Sequence, residues 1–296
     1  MAGGRFGTVA CAMATPFDDD GALDLDGAAD LARWLVAHGN DGLIVTGTTG
    51  ESPTLTDAEK VDLWRAVTEA VTVPVVAGAG TYDTAHSAHL AREAADAGVA
   101  GILAVTPYYN RPSQAGIEMH MRAIASAAGL PVLLYDIPMR TGRKADADTI
   151  VRLAADGVIV GVKDATAAPA ASAAVIAAAP AGFELYSGND ADTLALLAVG
   201  AVGVISVESH WAGEELAEMV AAFAKGDNDH ARAVNARLIE SHMFQSSEAA
   251  PNPVPTKAML AVMGLPGGEC RAPMGPTPPG LGDEAAAVLS RLRPSR

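Results

Sequence analysis

Eight short runs of β-branched and other apolar residues recur along the chain at intervals of roughly 25 to 30 residues, and the stretches between them carry apolar positions at helical spacing. The runs cover residues 8–12, 42–46, 74–77, 101–105, 131–135, 158–162, 183–186 and 203–207. They are almost continuously apolar instead of alternating, which points to burial on both faces and so to a parallel sheet. The capping-box pattern Thr56-Asp57-Ala58-Glu59 marks one helix start, and Thr84 is read as opening another. Gly39, Gly98, Gly129 and Gly200 stand where helices end on a left-handed residue. The alanine-rich stretch 165–181 reads as a helix bounded by Pro169 and Pro180, and the proline-rich segments 249–255 and 273–279 read as rigid loops. Eight β/α units within about 210 residues fit a closed (βα)8 TIM barrel better than a doubly wound open sheet. From Gly213 onward the pattern is helical only. The expectation is an α/β protein with a barrel over residues 1–212 and a C-terminal helical extension, 213–296, packed on it.

Composition narrows the function classes. Half of the 296 residues are hydrophobic, enough to bury one large core or two modest ones. Twenty Lys plus Arg against 35 Asp plus Glu give a net charge of −15, which disfavours phosphate backbones over most of the surface, so no nucleic-acid partner is expected. Cys11 and Cys270 are the only cysteines, with no CxxC pair and no cysteine and histidine cluster. Neither a disulfide framework nor a metal site is indicated, and a reducing, cytoplasmic setting fits. No signal-peptide core opens the chain and no run of about 18 apolar residues follows, so no membrane association is expected. The seven histidines, His38, His86, His89, His120, His210, His230 and His242, lack ligand spacing or an obvious acid partner and are read as surface or helix residues.

The chemistry centres on Lys163, near the end of the apolar segment Val158-Ile159-Val160-Gly161-Val162-Lys163-Asp164. Apolar surroundings disfavour an ammonium, lower its pKa and leave some free amine to attack a carbonyl and form a Schiff base. The alternative is an ordinary strand-end lysine paired with Asp164. Other strand ends bear on the choice, because a parallel barrel builds its site from the loops after its strands. Gly47-Thr48-Thr49-Gly50-Glu51-Ser52 offers two hydroxyls and several backbone N–H groups in a glycine-bounded turn, and lacks the lysine of a P-loop. Thr106-Pro107-Tyr108-Tyr109-Asn110 places two tyrosines in a stiff loop, for packing, an oligomer contact or proton transfer. Tyr135 ends the fifth run, and Arg140 beyond it suits a carboxylate unless it serves a surface ion pair. In Ser187-Gly188-Asn189-Asp190 the default role for Asp190 is a helix cap. Together these supply a nucleophilic amine, hydroxyls for proton relay, N–H donors for a keto-acid carboxylate and an arginine for a second carboxylate. That chemistry needs no metal or organic cofactor, since an iminium on Lys163 is itself an electron sink.

With these residues assembled, the chain resembles the dihydrodipicolinate synthase and N-acetylneuraminate lyase family of class I aldolases over nearly its whole length. The resemblance rests on Ala14-Thr15-Pro16-Phe17, the Gly47–Ser52 turn, Thr106-Pro107-Tyr108-Tyr109-Asn110, Tyr135-Asp136-Ile137-Pro138, Gly161-Val162-Lys163-Asp164-Ala165, Ser187-Gly188-Asn189-Asp190 and Pro251-Asn252-Pro253. It implies that Lys163 forms the Schiff base with pyruvate and that Thr48, Tyr109 and Tyr135 relay protons, with Tyr109 donated across a subunit interface. It further implies that Thr49 and nearby backbone hold the pyruvate carboxylate, that carbonyls of Gly188 and Ile205 line the site, and that Arg140 binds the carboxylate of L-aspartate 4-semialdehyde. A homotetramer, a dimer of dimers, is the implied assembly.

Two departures qualify the resemblance. Ser206-Val207-Glu208-Ser209-His210-Trp211 carries a glutamate where the family commonly has a small or uncharged residue, and Glu208 would repel an acidic substrate unless paired or turned away. Where lysine-inhibited members carry an asparagine and a glutamate, this chain has Tyr82 and His86, and Asp57 and Lys60 replace histidines. Weak or absent inhibition by lysine is therefore expected. Other readings remain at this point: a different pyruvate-dependent lyase, a 2-keto-3-deoxy sugar acid aldolase or dehydratase, or a catalytically silent barrel that binds a keto acid.

Overall fold

The structure, a computed structural model, describes residues 3–293. Its sheet contains β1 (Val9–Ala12), β2 (Gly42–Val45), β3 (Val75–Gly78), β4 (Gly101–Val105), β5 (Val132–Asp136), β6 (Gly161–Asp164), β7 (Glu184–Ser187) and β8 (Gly203–Ser206). Each strand pairs in parallel with the next, and β8 pairs with β1, so the barrel closes and no sheet edge remains. Around it run α1 (Leu25–Ala37), α2 (Asp57–Ala70), α3 (Thr84–Asp96), α4 (Gln114–Ala128), α5 (Pro138–Thr141), α6 (Ala147–Ala155), α7 (Pro169–Ala178) and α8 (Thr193–Val199). The residues after β8 form α9 (Ser209–Ala224), α10 (Asn228–Phe244), α11 (Val254–Val262) and α12 (Leu281–Leu292). No helix among the described residues is long and apolar enough to cross a membrane.

Strand alternation sorts side chains into two layers. Leu133 and Tyr135 point into the barrel with Ile44, Val76, Leu103 and Ile205, whereas Val132 and Leu134 face the helices. Lys163 stands level with Tyr135 on one side and Tyr186 on the other, so it shares their inward face. Asp164 takes the opposite face and hydrogen-bonds the Ser172 hydroxyl on α7. A third cluster, built around Trp211, Met219, Leu238 and Met259, packs the C-terminal helices together.

Local signals agree with the sequence in several places. The Thr56 and Glu59 capping box closes in both directions, and Gly39, Gly98, Gly129 and Gly200 all have positive φ. The differences have physical reasons. The sixth strand begins at Gly161 instead of 158, because Val158 and Ile159 still close the end of α6 onto Leu153; hydrophobicity alone does not separate the approach to a buried strand from the strand. Asp83, not Thr84, caps α3 by accepting from the N–H groups of Ala85 and His86. Helix α9 starts at Ser209, before Gly213, and contains a non-helical residue at Ala212. Pro255 belongs to the first turn of α11, not to the preceding loop.

One buried ion pair ties the C-terminal helices to the barrel mouth. Lys257 Nζ on α11 lies 2.7 Å from Glu51 Oε1 in the loop after β2, and each side chain is about 1% exposed. The ammonium also donates to the Glu269 carbonyl at 3.1 Å and sits 4.1 Å from the centre of the Phe17 ring. Removing one partner of such a pair strands the other charge. Lys257→Ala should therefore lower the unfolding free energy by about 3 kcal/mol or more, while Glu51→Leu combined with Lys257→Met recovers much of that loss. Urea denaturation of the variants measures it, and a Lys257→Ala loss below about 1 kcal/mol would contradict this role.

Candidate active site at the barrel mouth

The loop after β2 is fixed from three sides. Thr46 adopts φ 58°, and its hydroxyl donates to the Gly78 carbonyl at 3.0 Å while accepting from Trp64 Nε1 at 2.8 Å. Gly50 packs so closely that a Cβ would lie 3.0 Å from the Met13 carbonyl oxygen, which explains the glycine. Thr49 is buried and accepts a hydrogen bond from Asn252 Nδ2 at 3.1 Å, so the segment before α11 braces the turn as Lys257 does. Thr48 is left facing the cavity.

The cavity, about 260 Å³, is lined by Thr48, Thr49, Tyr135, Arg140, Lys163 and Gly188, together with Asp190, Val207, His242, Gln245 and Asn252. Six of the eight residues singled out from the sequence thus meet in one space. Lys163 Nζ lies 4.4 Å from the centre of the Tyr135 ring. Gly188 is required by the narrow turn after β7, where its N–H donates to the Asp164 carbonyl at 2.7 Å and a Cβ would come within 3.0 Å of it. Arg140, on the short α5, is exposed and makes no ion pair among the described residues, so its fork is available.

Two of the eight do not line this cavity. The Ile205 side chain is fully buried in the barrel interior, and Val207, two residues further on, lines the cavity. Tyr109 is 92% exposed with φ 70°, held outward by the turn after β4. Its neighbour Tyr108 packs edge-on against Tyr82, with ring centres 5.5 Å apart, and lines an adjoining cavity of about 220 Å³ whose other walls include Thr48, Tyr135 and Arg140.

Electrostatics separate Lys163 from an ordinary strand-end lysine. It is 5% exposed, has no carboxylate within ion-pair distance among the described residues, and Asp164 faces away. Burial pushes its pKa down to about 8, with the charge of Asp190 working against the shift. At pH 7 about one amine in ten is then neutral, against about one in three thousand at the ordinary value. Burial pushes Tyr135 up to about 12, against the Arg140 charge and the Thr48 hydroxyl, so its phenol keeps its proton and is available as a donor.

Asp190 is not a helix cap. One of its carboxylate oxygens accepts from the N–H groups of Val207 at 2.9 Å and Glu208 at 3.3 Å, which joins the loops after β7 and β8. Glu208 is fully buried, and its Oε2 accepts from His242 Nδ1 at 2.8 Å and Gln245 Nε2 at 3.0 Å. The repulsion expected from an extra carboxylate is thereby met by hydrogen-bond donors from the end of α10. The histidines correct the sequence reading as well. His210 and His120 are buried, His242 has an acid partner, and His86 and His230 pair with Asp57 and Glu218. His242 and Gln245 were missed because their partner lies 34 and 37 residues away on another element, and no local pattern announces the contact.

A closed parallel barrel with a desolvated, unpaired amine beside a phenol at its C-terminal mouth defines a class, the lyases that act through a Schiff base. Residues 5–291 match the family described as the dihydrodipicolinate synthetase family. A 4-hydroxy-tetrahydrodipicolinate synthase of Acidothermus cellulolyticus is 50% identical over 290 residues, covering 97% of this chain and 91% of that one. The crystal structure of a dihydrodipicolinate synthase from Bacillus anthracis superposes with a TM-score of 0.92 at 40% identity, covering 98% of this chain and 99% of that one. A dihydrodipicolinate synthase from Cyanidioschyzon merolae, solved with lysine bound, gives a TM-score of 0.94 at 38% identity, covering 98% and 99%. The chain belongs to the dihydrodipicolinate synthetase family.

The depressed pKa of Lys163 sets a pH dependence. The rate at which borohydride traps pyruvate on Lys163, followed by intact mass, should rise about tenfold per pH unit below the amine's pKa and flatten above it. A rate still climbing beyond pH 10 would mean that the amine is not perturbed.

Proposed function

We propose that the chain condenses pyruvate with L-aspartate 4-semialdehyde to give 4-hydroxytetrahydrodipicolinate, on the route to diaminopimelate and lysine. The observation that carries this reading is the unpaired, buried amine of Lys163 in the same cavity as the free guanidinium of Arg140. The neutral amine adds to the pyruvate carbonyl carbon, and loss of water leaves an iminium. A proton then leaves the pyruvate methyl group, and the enamine carbon adds to the aldehyde, whose oxygen takes up a proton. The aldehyde's own amino group displaces Lys163 to close the ring. Thr48 and Tyr135 move these protons; the short distance between Tyr135 and Lys163 and the retained phenolic proton support that role. Thr49 and the turn around it hold the pyruvate carboxylate, the Gly188 carbonyl lines the site, and the strand end at Ile205 shapes its floor. Arg140 binds the carboxylate of the aldehyde by a bidentate contact.

Tyr109 completes the relay from a neighbouring copy within a homotetramer, a dimer of dimers. Its near-complete exposure on a left-handed backbone position, where a non-glycine residue is strained, supports an outward role. The adjoining cavity by Thr48 and Tyr135 is where a phenol from a second copy would reach them. The substrates are small metabolites of the cytoplasm. Lysine is a poor regulator of this chain, because with Tyr82 and His86 at these positions an effector ammonium loses its carboxylate partner.

Steady-state assay of pyruvate with aspartate semialdehyde, run beside a panel of keto sugar acids, tests the reaction. Turnover of the sugar acids alone would overturn it in favour of another lyase, and the absence of a pyruvyl adduct in borohydride would remove catalysis altogether. Lys163→Ala should abolish the adduct. Arg140→Ala should still form it while the KM for the semialdehyde rises about ten- to a hundredfold. Loss of the adduct in both would contradict this division of roles. Half-inhibition by lysine should require millimolar concentrations or more; a sub-millimolar value would refute the regulatory assignment.

A further inference from the structure

Glu208 and His242 form a buried pair that the steps above do not use. The Glu208 side chain is fully buried and that of His242 about 5% exposed. His242 lines the cavity that holds Lys163 and Arg140, and its Nε2 is buried without a hydrogen-bond partner. On its other side the ring is held by Nδ1 against Glu208 Oε2, which Gln245 Nε2 braces from the same helix. A side chain anchored through one nitrogen, with the second left unsatisfied on a cavity wall, calls for a ligand atom.

The chemistry of the pair decides which atom. Burial, reinforced by Asp190, pushes Glu208 up to about 8, and Glu208 pushes His242 up against the opposing effect of burial. The two groups therefore share one proton and titrate together. With that proton on the imidazole, both ring nitrogens carry hydrogen and Glu208 is a carboxylate. With it on Glu208, the acid donates to Nδ1 and the ring's remaining hydrogen sits on Nε2. Either placement leaves a hydrogen on Nε2, on the edge of the ring away from Glu208, and only loss of the shared proton turns Nε2 into an acceptor. The wall atom is thus a donor and suits an oxygen acceptor.

We propose that His242, positioned by Glu208, is a substrate-binding residue whose Nε2–H takes a carboxylate oxygen of the second, aldehyde substrate alongside Arg140. The assignment rests on the proposed condensation. It also accounts for the glutamate after β8, which serves to hold a proton on the cavity wall. The other charged or titratable groups around the ring are Asp190 and Asp192 after β7, with Lys163, Tyr135 and Arg140 lining the same cavity. The two aspartates favour retention of the shared proton.

Kinetics of the intact enzyme with aspartate semialdehyde test the proposal. His242→Ala should raise the KM for the semialdehyde about tenfold or more with a much smaller change in kcat, while borohydride still traps pyruvate on Lys163; His242→Gln, which keeps an N–H donor, should recover part of the loss. In the parent enzyme kcat/KM for the semialdehyde should fall on the alkaline side as the shared proton leaves. Glu208→Gln should move that fall to lower pH, which a purely structural role would not do. An unchanged KM in His242→Ala, or an alkaline limb unmoved by Glu208→Gln, overturns the assignment and leaves the condensation standing. A parent enzyme that traps pyruvate yet does not use the semialdehyde overturns both.

Discussion

The site depends on one ammonium kept from water with no anion beside it. A charged lysine inside a barrel is costly, and proteins usually relieve that cost with a carboxylate or by letting the proton go. Here the register places Lys163 on the inward face, level with two tyrosines, while its neighbour Asp164 turns outward to Ser172. The acidic residue next in sequence is thus prevented by strand alternation from quenching the amine. The nearest influence of opposite sign, Asp190, has an oxygen committed to two backbone N–H groups of the next loop, so it moderates the perturbation without forming a pair.

Holding that geometry falls in large part to the helices after the barrel. Contacts from this part of the chain reach the mouth: Lys257 to Glu51, Asn252 to Thr49, and His242 and Gln245 to Glu208. Each ends on a loop that follows a strand, and such loops are otherwise the most mobile parts of a barrel. The first two hold the same turn at Glu51 and Thr49, just after Thr48, while the third braces the loop after β8. The C-terminal helices therefore serve as scaffolding for the catalytic face, and their own core around Trp211 and Met259 makes them stiff enough to do so.

Much of this was legible in the sequence because it is encoded locally. Eight apolar runs, a capping box and a series of helix-ending glycines define the barrel, since each reflects a short-range rule of backbone or burial. Lys163, Tyr135, Thr48, Thr49, Arg140 and Gly188 stood out because polar residues at strand ends of a parallel barrel share one face. What escaped was encoded by distance. Neither the partner of Glu208 on α10 nor that of Glu51 on α11 has any signature near it in sequence, and Asp190 imitates a helix cap so well that its contact with the following strand's loop is visible only in three dimensions. Tyr109 is a different case, because its ring is 92% exposed and nothing within the chain assigns it a role.

Three lysines are buried among the described residues, and burial alone does not make a nucleophile. Lys60 lies 3.9 Å from Asp57, and Lys257 has Glu51 at 2.7 Å, a carbonyl acceptor and an aromatic ring around its ammonium. A neutral lysine needs an unshared electron pair directed at free space. Burial lowers the pKa of Lys257 too, but Glu51, the Glu269 carbonyl and the Phe17 ring face its nitrogen and oppose that shift, so the residue clamps a loop. At Lys163 the space is a cavity of about 260 Å³, and the nearby aromatic ring belongs to a phenol that keeps its own proton. The same unfavourable transfer out of water thus gives an ion-paired cation in one place and an unpaired amine in the other, and the difference lies in whether an acceptor or a void faces the nitrogen.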